Sequence, residues 1–393
     1  MRRNERLNLA AIHNGFTYQL QAVEAVKGME FAALFHEQGL GKTKIGIDLA
    51  LEWLKADIVD SVVFVTKRSL IANWSEEMRA HSYLRPRILD QNHSANFYAL
   101  NSSSPVLLAH YEVLKSEERR VALYLRTRRV GVILDEAHKI KNPDTEIAKS
   151  LHRLGPSFVR RIIMTGTPVA NRPFDIWSQI YFLDQGAALG TDFEAFKEDL
   201  DLTNDLWTNE RKRIDFERAV GGIFPKIAPF SVRETKASAG IELPEKVIEN
   251  VPVVLAPRQR EIYDEIARSL RTEVVVGGQL VEDDAESILK RLLRLVQVAS
   301  NPRLIDESYE EEPGKLAVLK RLLANATQEE GGKAIVWTNF IENADWLERQ
   351  LTSHSPVKVH GKVEMDDRNA AIARFKSDPA RRILIATPGS AKE

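Results

Sequence analysis

The sequence predicts an α/β protein with two lobes, each built on a parallel β-sheet flanked by helices, with helical insertions between the lobes and an incomplete second lobe. Three observations support this prediction. Short β-branched apolar runs recur at intervals that fit strand–helix–strand units, the pattern stops in the middle of the chain, and it resumes near the C-terminal end. With 393 residues, 44% of them hydrophobic, the chain is long enough for two or three cores.

Five apolar runs of strand length define the first lobe. They are FAALF (31–35), SVVFVT (61–66), PVLLAH (105–110), VGVILD (130–135) and RIIMTG (161–166). Apolar residues at helical spacing, such as Ile45, Leu49 and Leu54, lie between them. A strand–helix–strand unit takes about 30 residues or more, so the spacing favours parallel strands covered by helices on both faces. We expect this lobe to span residues 1–183.

The strand pattern stops after the first lobe. Residues 184–235 are charged and aromatic, which predicts a helical insertion and the start of a linker. Small residues then gather in VRETKASAGIELPEK (232–246), which indicates a hinge. Residues 236–313 are expected to hold the linker and a helical protrusion of the second lobe. Its strongest amphipathic helix is predicted at 286–299, with an apolar side formed by Ile288, Leu289, Leu292, Leu293, Leu295 and Val296.

A second strand-and-helix pattern begins after residue 313. Its strands are predicted at AIVWTN (334–339), VKVHG (357–361) and RILIAT (382–387). Three strands with their helices make a small sheet with an exposed edge. We therefore expect residues 314–393 to form only part of a second lobe.

Composition excludes several classes of protein. The 55 Lys and Arg residues balance 56 Asp and Glu residues, so the formal charge is −1 and any surface for nucleic acid must be local. Because the chain has no cysteine, disulfides, thiolate catalysis and cysteine zinc sites are excluded. No apolar run approaches the ~18 residues of a membrane span, and no signal peptide is recognisable. We expect a soluble intracellular protein without a membrane partner.

The stretch HEQGLGKTKI (36–45) predicts a phosphate-binding loop, although a histidine stands where the usual pattern has its first glycine. Gly39 and Gly41 would let backbone N–H groups approach phosphate oxygens at the start of a helix. Lys42 would meet the β- and γ-phosphates, and Thr43 would hold Mg²⁺. We expect the histidine to be a neighbour of the loop without a catalytic task. The alternative interpretation is an ordinary strand-to-helix turn.

An acidic pair follows the fourth apolar run, in VGVILDEAHKIKN (130–142). Asp135 would hold Mg²⁺, and Glu136 would orient and deprotonate the attacking water. Adjacent residues at a strand end point to different sides, so the two carboxylates can have two roles. Lys42 precedes them by about three strand–helix units, so all three residues can meet at the carboxyl ends of parallel strands. The alternative is a helix start capped by the aspartate.

Together these motifs resemble those of the superfamily-two helicase-like ATPases, and within them the Swi/Snf branch of double-stranded DNA translocases. FTYQLQAV (16–23) is similar to the adenine-contacting motif of that family. Segments similar to its DNA-contacting and coupling motifs are FVTKRSLIANWSEEM (64–78), LLAHYEVL (107–114) and MTGTPVANRPFDIWSQIYFL (164–183). Features that plain RNA helicases lack are IKN (140–142), RETK followed by LPEK, LAPRQREIYDEI (255–266), LLRLVQVASNP (292–302) and GKLAVLKRLL (314–323).

The resemblance implies two RecA-like lobes, ATP and Mg²⁺ as cofactors, duplex DNA as a partner, and a protein displaced or recruited on that DNA. It implies an ATP hydrolase whose lobes close on ATP and reopen on hydrolysis while it steps along an intact duplex. The implied catalytic residues are Lys42, Asp135 and Glu136, and the implied Mg²⁺ ligands are Thr43 and Asp135. The implied nucleotide contacts are Tyr18, Gln19 (to adenine), Gly39, Leu40, Gly41, Lys42, Thr43 and Lys44.

Two alternatives stay open at this point. One is a strand-separating helicase of the same superfamily that acts on RNA or single strands, and the other is an ATP-binding and DNA-binding module that does not hydrolyse ATP. ATPGSAKE (386–393) resembles the start of motif V, and the arginine-bearing motif VI does not follow. We therefore expect a truncated motor with impaired hydrolysis. The lack of flanking chromatin-reading domains favours a prokaryotic or phage origin, in the cytoplasm or on the nucleoid.

Two further groups of residues are expected to have no role in the chemistry. Trp74, Trp177 and Trp337 have apolar neighbours in the sequence, which favours core packing over base stacking. Three basic clusters are expected to be solvated surface, with one of them as a candidate contact to DNA phosphates. These clusters are Arg119-Arg120, Arg126-Arg128-Arg129 and Arg211-Lys212-Arg213.

Overall fold

The computed structural model describes residues 7–90, 92–169, 172–198, 200, 210–275, 285–328 and 332–388. The chain forms two compact units, Met1–Pro244 and Glu245–Glu393. Each unit has a parallel sheet with helices packed on it, which confirms the predicted fold class. The end of the predicted motif V, residues 389–393, lies outside the described residues.

A seven-stranded sheet forms the centre of the first unit. Its strands are β1 (Phe31–His36), β2 (Ser61–Thr66), β3 (Arg87–Leu89), β4 (Val106–His110), β5 (Val130–Asp135), β6 (Arg160–Met164) and β7 (Ser231–Glu234). The spatial order is β3-β4-β2-β5-β6-β1-β7, and all neighbouring strands are parallel. The five predicted strands are therefore present. The sequence did not predict β3 and β7, which are short edge strands without a continuous apolar run.

Ten helices accompany this sheet in the described part of the first unit. They are α1 (Thr17–Val26), α2 (Lys42–Lys55), α3 (Ile71–His81), α4 (His93–Asn101), α5 (Tyr111–Ser116), α6 (Glu118–Thr127), α7 (Glu146–Leu154), α8 (Trp177–Asp184), α9 (Phe193–Glu198) and α10 (Glu210–Ile227). The side chains of Arg211 and Lys212 in α10 lie outside the description.

Two apolar clusters bury the two faces of the seven-stranded sheet. Successive residues of a strand point to opposite faces, so Ala33 and Phe35 of β1 enter one cluster while Ala32 and Leu34 enter the other. Burial on both faces explains why the central strands are continuous apolar runs. Trp74 and Trp177 are buried in these clusters, as predicted.

The first unit extends beyond residue 183, where the first lobe was expected to end. β7 pairs with β1, which makes it a strand of the main sheet. Ile223 and Ile227 of α10 are buried in the same core. The segment after residue 183 therefore packs as part of the first unit, because its scattered apolar residues are covered by the sheet and its helices.

The second unit has a three-stranded sheet. Its strands are β8 (Ala334–Trp337), β9 (Val357–Val359) and β10 (Ile383–Ala386), in the parallel order β8-β10-β9. Its helices are α11 (Pro257–Val275), α12 (Ala285–Ser300), α13 (Gly314–Gln328), α14 (Ile341–Gln350) and α15 (Met365–Ser377). Apolar clusters again lie on both faces of the sheet.

Two details of the second unit differ from the sequence prediction. Trp337 is 51% exposed, so its predicted place in a core is wrong, because β8 is an edge strand with an uncovered face. The helix predicted at 286–299 is present as α12, but its apolar residues Leu289, Leu292 and Leu293 are exposed. The side chain of Ile288 lies outside the description. Within the described ranges, each helix falls short of the length or the hydropathy needed to cross a membrane.

Candidate active site

Lys42 and the acidic pair lie at the carboxyl-terminal edge of the first sheet. β1 ends just before the glycine-containing loop, and β5 ends at Asp135. β6 lies between these two strands. Neighbouring strands are about 4.8 Å apart, so the ends of β1 and β5 are separated by roughly 10 Å, a gap that a lysine side chain can enter.

The loop between β1 and α2 depends on two glycines. Gly39 has φ 86° and Gly41 has φ 70°, in the left-handed region where a side chain is strained. A Cβ on Gly41 would also collide with the side-chain amide of Gln19. That amide donates from Nε2 to the carbonyl oxygen of Leu40 at 3.0 Å. Leu40 itself is buried, so the loop has a fixed shape.

Lys42 connects the loop electrostatically to the acidic pair. It begins α2, and its Nζ donates to the carbonyl oxygen of His36 at 3.1 Å. Burial lowers the pKa of Lys42, and the negative charges of Glu136 and Asp135 oppose that shift. The ammonium therefore lies within electrostatic reach of both carboxylates, as the convergence of these three residues requires.

Asp135 is held in one orientation by three hydrogen bonds. Trp74 donates from Nε1 to Oδ2 at 2.8 Å, and Thr66 donates from Oγ1 to the same oxygen at 3.2 Å. The backbone N–H of Glu136 donates to Oδ1 at 3.0 Å. Burial raises the pKa of Asp135, while the hydrogen bond from Trp74 opposes the shift. A buried carboxylate of this kind is well suited to bind a cation.

Glu136 occupies a backbone conformation that is uncommon for residues other than glycine. Its φ and ψ are 52° and 49°, and its Oε2 lies 3.1 Å from Nδ1 of His138. Burial alone would raise the pKa of Glu136, but His138 and the positive charges of Lys42 and Lys67 outweigh burial and hold this pKa below its usual range. The carboxylate is therefore ionised near neutral pH and can accept a proton.

The other predicted nucleotide contacts differ in their burial and in their contacts with the loop. Gln19 is buried and fastens α1 to the loop through its bond to the Leu40 carbonyl, while its Oε1 accepts from the N–H of Phe16, at the start of its own helix, at 2.9 Å. Tyr18, the residue before Gln19 on α1, is partly buried. Thr43 is partly buried in the first turn of α2, directly after Lys42. Gln19 and Thr43 therefore lie beside the loop.

Lys44 is the exception among the predicted nucleotide contacts. Its Nζ lies 2.6 Å from Oδ1 of Asp48, one helical turn further along α2, and both side chains are buried. This ion pair holds the ammonium along the helix. The side chain of Lys44 is therefore engaged by Asp48, and only its backbone lies beside the loop, in the first turn of α2.

Sequence reasoning missed several residues that build the site. Thr66 and Trp74 hold Asp135, and the hydroxyl of buried Tyr111 donates to the backbone carbonyl of Asp135 at 2.7 Å. Phe16, 69% exposed, stacks on Tyr18 with ring centroids 5.8 Å apart and an interplanar angle of 10°. A polar residue at a strand end, as at Thr66, was the available signal. No sequence signal marked Trp74 as more than a core residue.

The donor set fits a magnesium ion that is held together with nucleotide phosphates. Mg²⁺ in such sites takes one or two protein oxygens and completes its shell with phosphate oxygens and water. Asp135 and Thr43 offer a carboxylate and a hydroxyl of this kind. Among the residues that the structure describes, no group of three or more acidic or histidine side chains could hold a metal by itself. The metal would therefore depend on the nucleotide.

The turn after β6 packs directly against the loop. The N–H of buried Thr165 donates to the carbonyl oxygen of Leu34 at 3.1 Å. A Cβ on Gly166 would lie 3.2 Å from Cγ of Gln38 and 3.4 Å from the carbonyl oxygen of His36. A side chain at this position would press on the loop, so the turn and the loop entry are in close contact.

His36 is fully buried at the end of β1, with both ring nitrogens lacking a hydrogen-bond partner among the described residues. Burial lowers its pKa to about 4; the charge of Glu234 opposes this shift and that of Lys42 adds to it. The ring is therefore neutral in the folded protein at neutral pH. Its backbone carbonyl, rather than its side chain, contacts Lys42.

We expect His36→Leu to remove part of the acid sensitivity of the first unit. The unfolded chain binds a proton on this histidine near pH 6.5, whereas the folded chain binds it only near pH 4. The contribution of His36 to the free energy of unfolding is therefore fully present above pH 6.5. It falls by about 3 kcal/mol as the pH is lowered to 4. The free energy of unfolding in urea, measured at pH 7 and pH 4.5 for both proteins, tests this. An equal loss in the two proteins would contradict it.

Known protein families resemble this chain along almost its whole length. The family model for the SNF2-related domain matches residues 18–304, and the one for the helicase conserved C-terminal domain matches residues 314–389. A solved structure with similarity is the Sulfolobus solfataricus SWI2/SNF2 ATPase core in complex with dsDNA, with 23% identity, a TM-score of 0.48, and coverage of 96% of this chain and 78% of that one.

Two curated relatives cover nearly the whole chain. An uncharacterized ATP-dependent helicase of Mycoplasma genitalium is 24% identical over 96% of this chain and 35% of its own length. The human DNA repair and recombination protein RAD54-like is 25% identical over 92% of this chain and 53% of its own length. The chain thus spans between about a third and a half of these relatives. Because the SNF2-related domain matches well over half of the chain, the predicted resemblance is confirmed and the chain belongs to the SNF2-related family.

Proposed function

We propose that this chain is an ATP-hydrolysing motor core that moves along double-stranded DNA and uses ATP and Mg²⁺. One observation carries the proposal: Lys42, on a loop with two left-handed glycines after β1, and the acidic pair at the end of β5 lie at one edge of a parallel sheet. The human relative is named as a DNA repair and recombination protein, and the Mycoplasma relative as an ATP-dependent helicase. These names support DNA as the partner.

The loop would bind the phosphates of ATP. Backbone N–H groups at the start of α2 would bind an anion, as in other phosphate-binding loops. Lys42 would exchange its hydrogen bond to the His36 carbonyl for the β- and γ-phosphates. Gln19 would read adenine with the hydrogen-bonding capacity left on its amide, and the exposed ring of Phe16 offers an apolar surface nearby.

Asp135 and Glu136 would have different roles in ATP hydrolysis. Asp135, oriented by Trp74 and Thr66, would hold Mg²⁺ together with Thr43. When bound, Mg²⁺ supplies charge neutralisation on the phosphates. Glu136, ionised beside His138, would orient the attacking water and accept its proton.

Acidic neighbours bear on which basic clusters would contact DNA. Two arginines of the predicted basic clusters are engaged by acidic neighbours: Arg120 lies 2.9 Å from Glu117, and Arg129 lies 2.9 Å from Asp60. Phosphate contacts need only a few local donors and carry no base information, which suits movement along any sequence. We assign the nucleotide chemistry to the first unit and propose residues 314–393 as part of the second lobe.

ATP turnover in the presence of different nucleic acids tests the proposal. The full-length protein is assayed with Mg²⁺ and with equal nucleotide concentrations of linear duplex DNA, single-stranded DNA or RNA. Stimulation by duplex DNA, together with displacement of a triplex-forming strand, supports a translocase. Stimulation by single strands or RNA with strand separation supports the helicase alternative instead. ATP binding without turnover under any of these conditions supports a binding module.

A further inference from the structure

The segment that follows β7 touches the phosphate-binding loop. Its backbone forms a compact turn, in which Ile241 N–H donates to the carbonyl oxygen of Lys236 at 2.9 Å. The side chain of Lys236 lies over the loop, with Cε 3.7 Å from where a Cβ on Gly39 would be. The first unit ends shortly afterwards, at Pro244. Lys236, which is close to the C-terminal end of this unit in the sequence, therefore lies against the phosphate-binding loop.

Glu37 is the partner of Lys236 in the loop. Its Oε2 accepts from the backbone N–H of Lys236 at 2.8 Å, and its Oε1 lies 3.6 Å from the ammonium. The N–H of Glu37 donates to the carbonyl oxygen of Glu234 at 2.9 Å, which continues the pairing of β1 with β7. The hydrogen bond from the Lys236 backbone and the positive charge of its side chain hold the pKa of Glu37 below its usual range.

An ionised carboxylate in an anion-binding loop is unfavourable. Its charge repels the phosphates that the neighbouring N–H groups attract, and nearby charges interact measurably even in a partly solvated site. The ammonium of Lys236 neutralises that charge where the turn meets the loop. The backbone hydrogen bond fixes where the carboxylate points. Both contacts exist only while the turn stays docked on the loop.

We propose that Lys236 is a positioning residue that neutralises Glu37 and thereby makes nucleotide affinity depend on the docked turn at residues 235–241. The inference deepens the proposed function and rests on it. Undocking of the turn would leave Glu37 as an uncompensated negative charge beside the phosphates. By thermodynamic linkage, a bound nucleotide would in return stabilise the docked turn.

Binding of a fluorescent ATP analogue with Mg²⁺ to the full chain tests this with three variants. Lys236→Ala should weaken binding by about three- to tenfold, the effect of one uncompensated charge near a partly exposed site. Lys236→Arg should bind normally. In Lys236→Ala/Glu37→Gln the unfavourable charge is gone, so affinity should return to within about twofold of the wild type. Lys149→Ala, which removes a lysine of α7 paired with Glu146, is the matched control and should bind normally.

Other outcomes would overturn the inference. If Lys236→Ala bound as the wild type does, the charge compensation would have no effect on affinity. If the double variant stayed as weak as Lys236→Ala, Lys236 would act by touching the phosphates itself. A second readout is amide hydrogen exchange of residues 235–241, which should slow when the analogue binds. Failure of the wild type to bind any adenine nucleotide would refute the proposed function, whereas normal binding with an insensitive Lys236 would refute this inference alone.

Discussion

Replacing Lys42 with alanine is expected to lower kcat/KM for ATP hydrolysis by about 10²–10³-fold, the usual effect of deleting one preorganised charge donor. The ammonium is buried and interacts electrostatically with Asp135 and Glu136, so the variant would lose both the proposed phosphate contact and the cation that balances the acidic pair. The measurement is steady-state ATP turnover of the full-length protein with saturating duplex DNA. Titration with a fluorescent ATP analogue should show weaker binding as well.

The matched control for this prediction is Lys55→Ala. Lys55 lies on the same helix, but it is exposed at the far end and pairs with Glu52 at 2.9 Å. Exposed pairs of this kind contribute about 0–1 kcal/mol to stability, so turnover should stay as in the wild type. If Lys42→Ala kept more than about a tenth of wild-type turnover, the loop would not be the phosphate site.

Glu136→Gln is expected to abolish turnover while leaving ATP binding intact. Loss of a general base costs about 10²–10⁴-fold in rate, and glutamine keeps the size and the backbone requirements of the residue. Its contacts with His138 and Lys42 are largely electrostatic, so the variant should fold normally. Single-turnover hydrolysis and nucleotide binding, measured on the same sample, separate the two effects.

A glutamate on the exposed first turn of α7 serves as the control for charge removal. Glu146→Gln removes a carboxylate that pairs with Lys149 at 3.4 Å and should leave turnover unchanged. Two other outcomes for Glu136→Gln would contradict the prediction. Normal single-turnover hydrolysis would show that another group activates the water. A parallel loss of binding would show that Glu136 contributes to nucleotide affinity.

The sequence predicted the centre of the fold better than its edges. The central strands β1, β2 and β5 are buried on both faces, so they are apolar throughout and their positions were clear. β3 and β7 lie at the two edges of the sheet and are partly exposed, so their composition did not distinguish them from loops. The wrong prediction for Trp337 has the same cause: its apolar neighbours belong to an edge strand, where an apolar residue can be exposed.

The sequence predicted those site residues that form local motifs, but not the contacts between residues that are far apart in the chain. The glycines, Lys42 and the acidic pair form local patterns with a chemical reason for each residue. The supporting contacts join distant segments: Trp74 lies 61 residues from Asp135, and Lys236 lies 199 residues from Glu37. Such contacts are set by strand order and by the packing of helices on the sheet, which local sequence patterns do not encode.

The hydrogen bond between the Trp74 indole and Asp135 has a practical consequence. Indole emission responds to the electric field at the ring, and here the N–H ends on the carboxylate that would take up the metal. A change of charge at that carboxylate should therefore shift the wavelength of the fluorescence emission maximum of Trp74. In a variant that keeps Trp74 but replaces the other five tryptophans, loading of the site could therefore be followed by the intrinsic fluorescence of the protein.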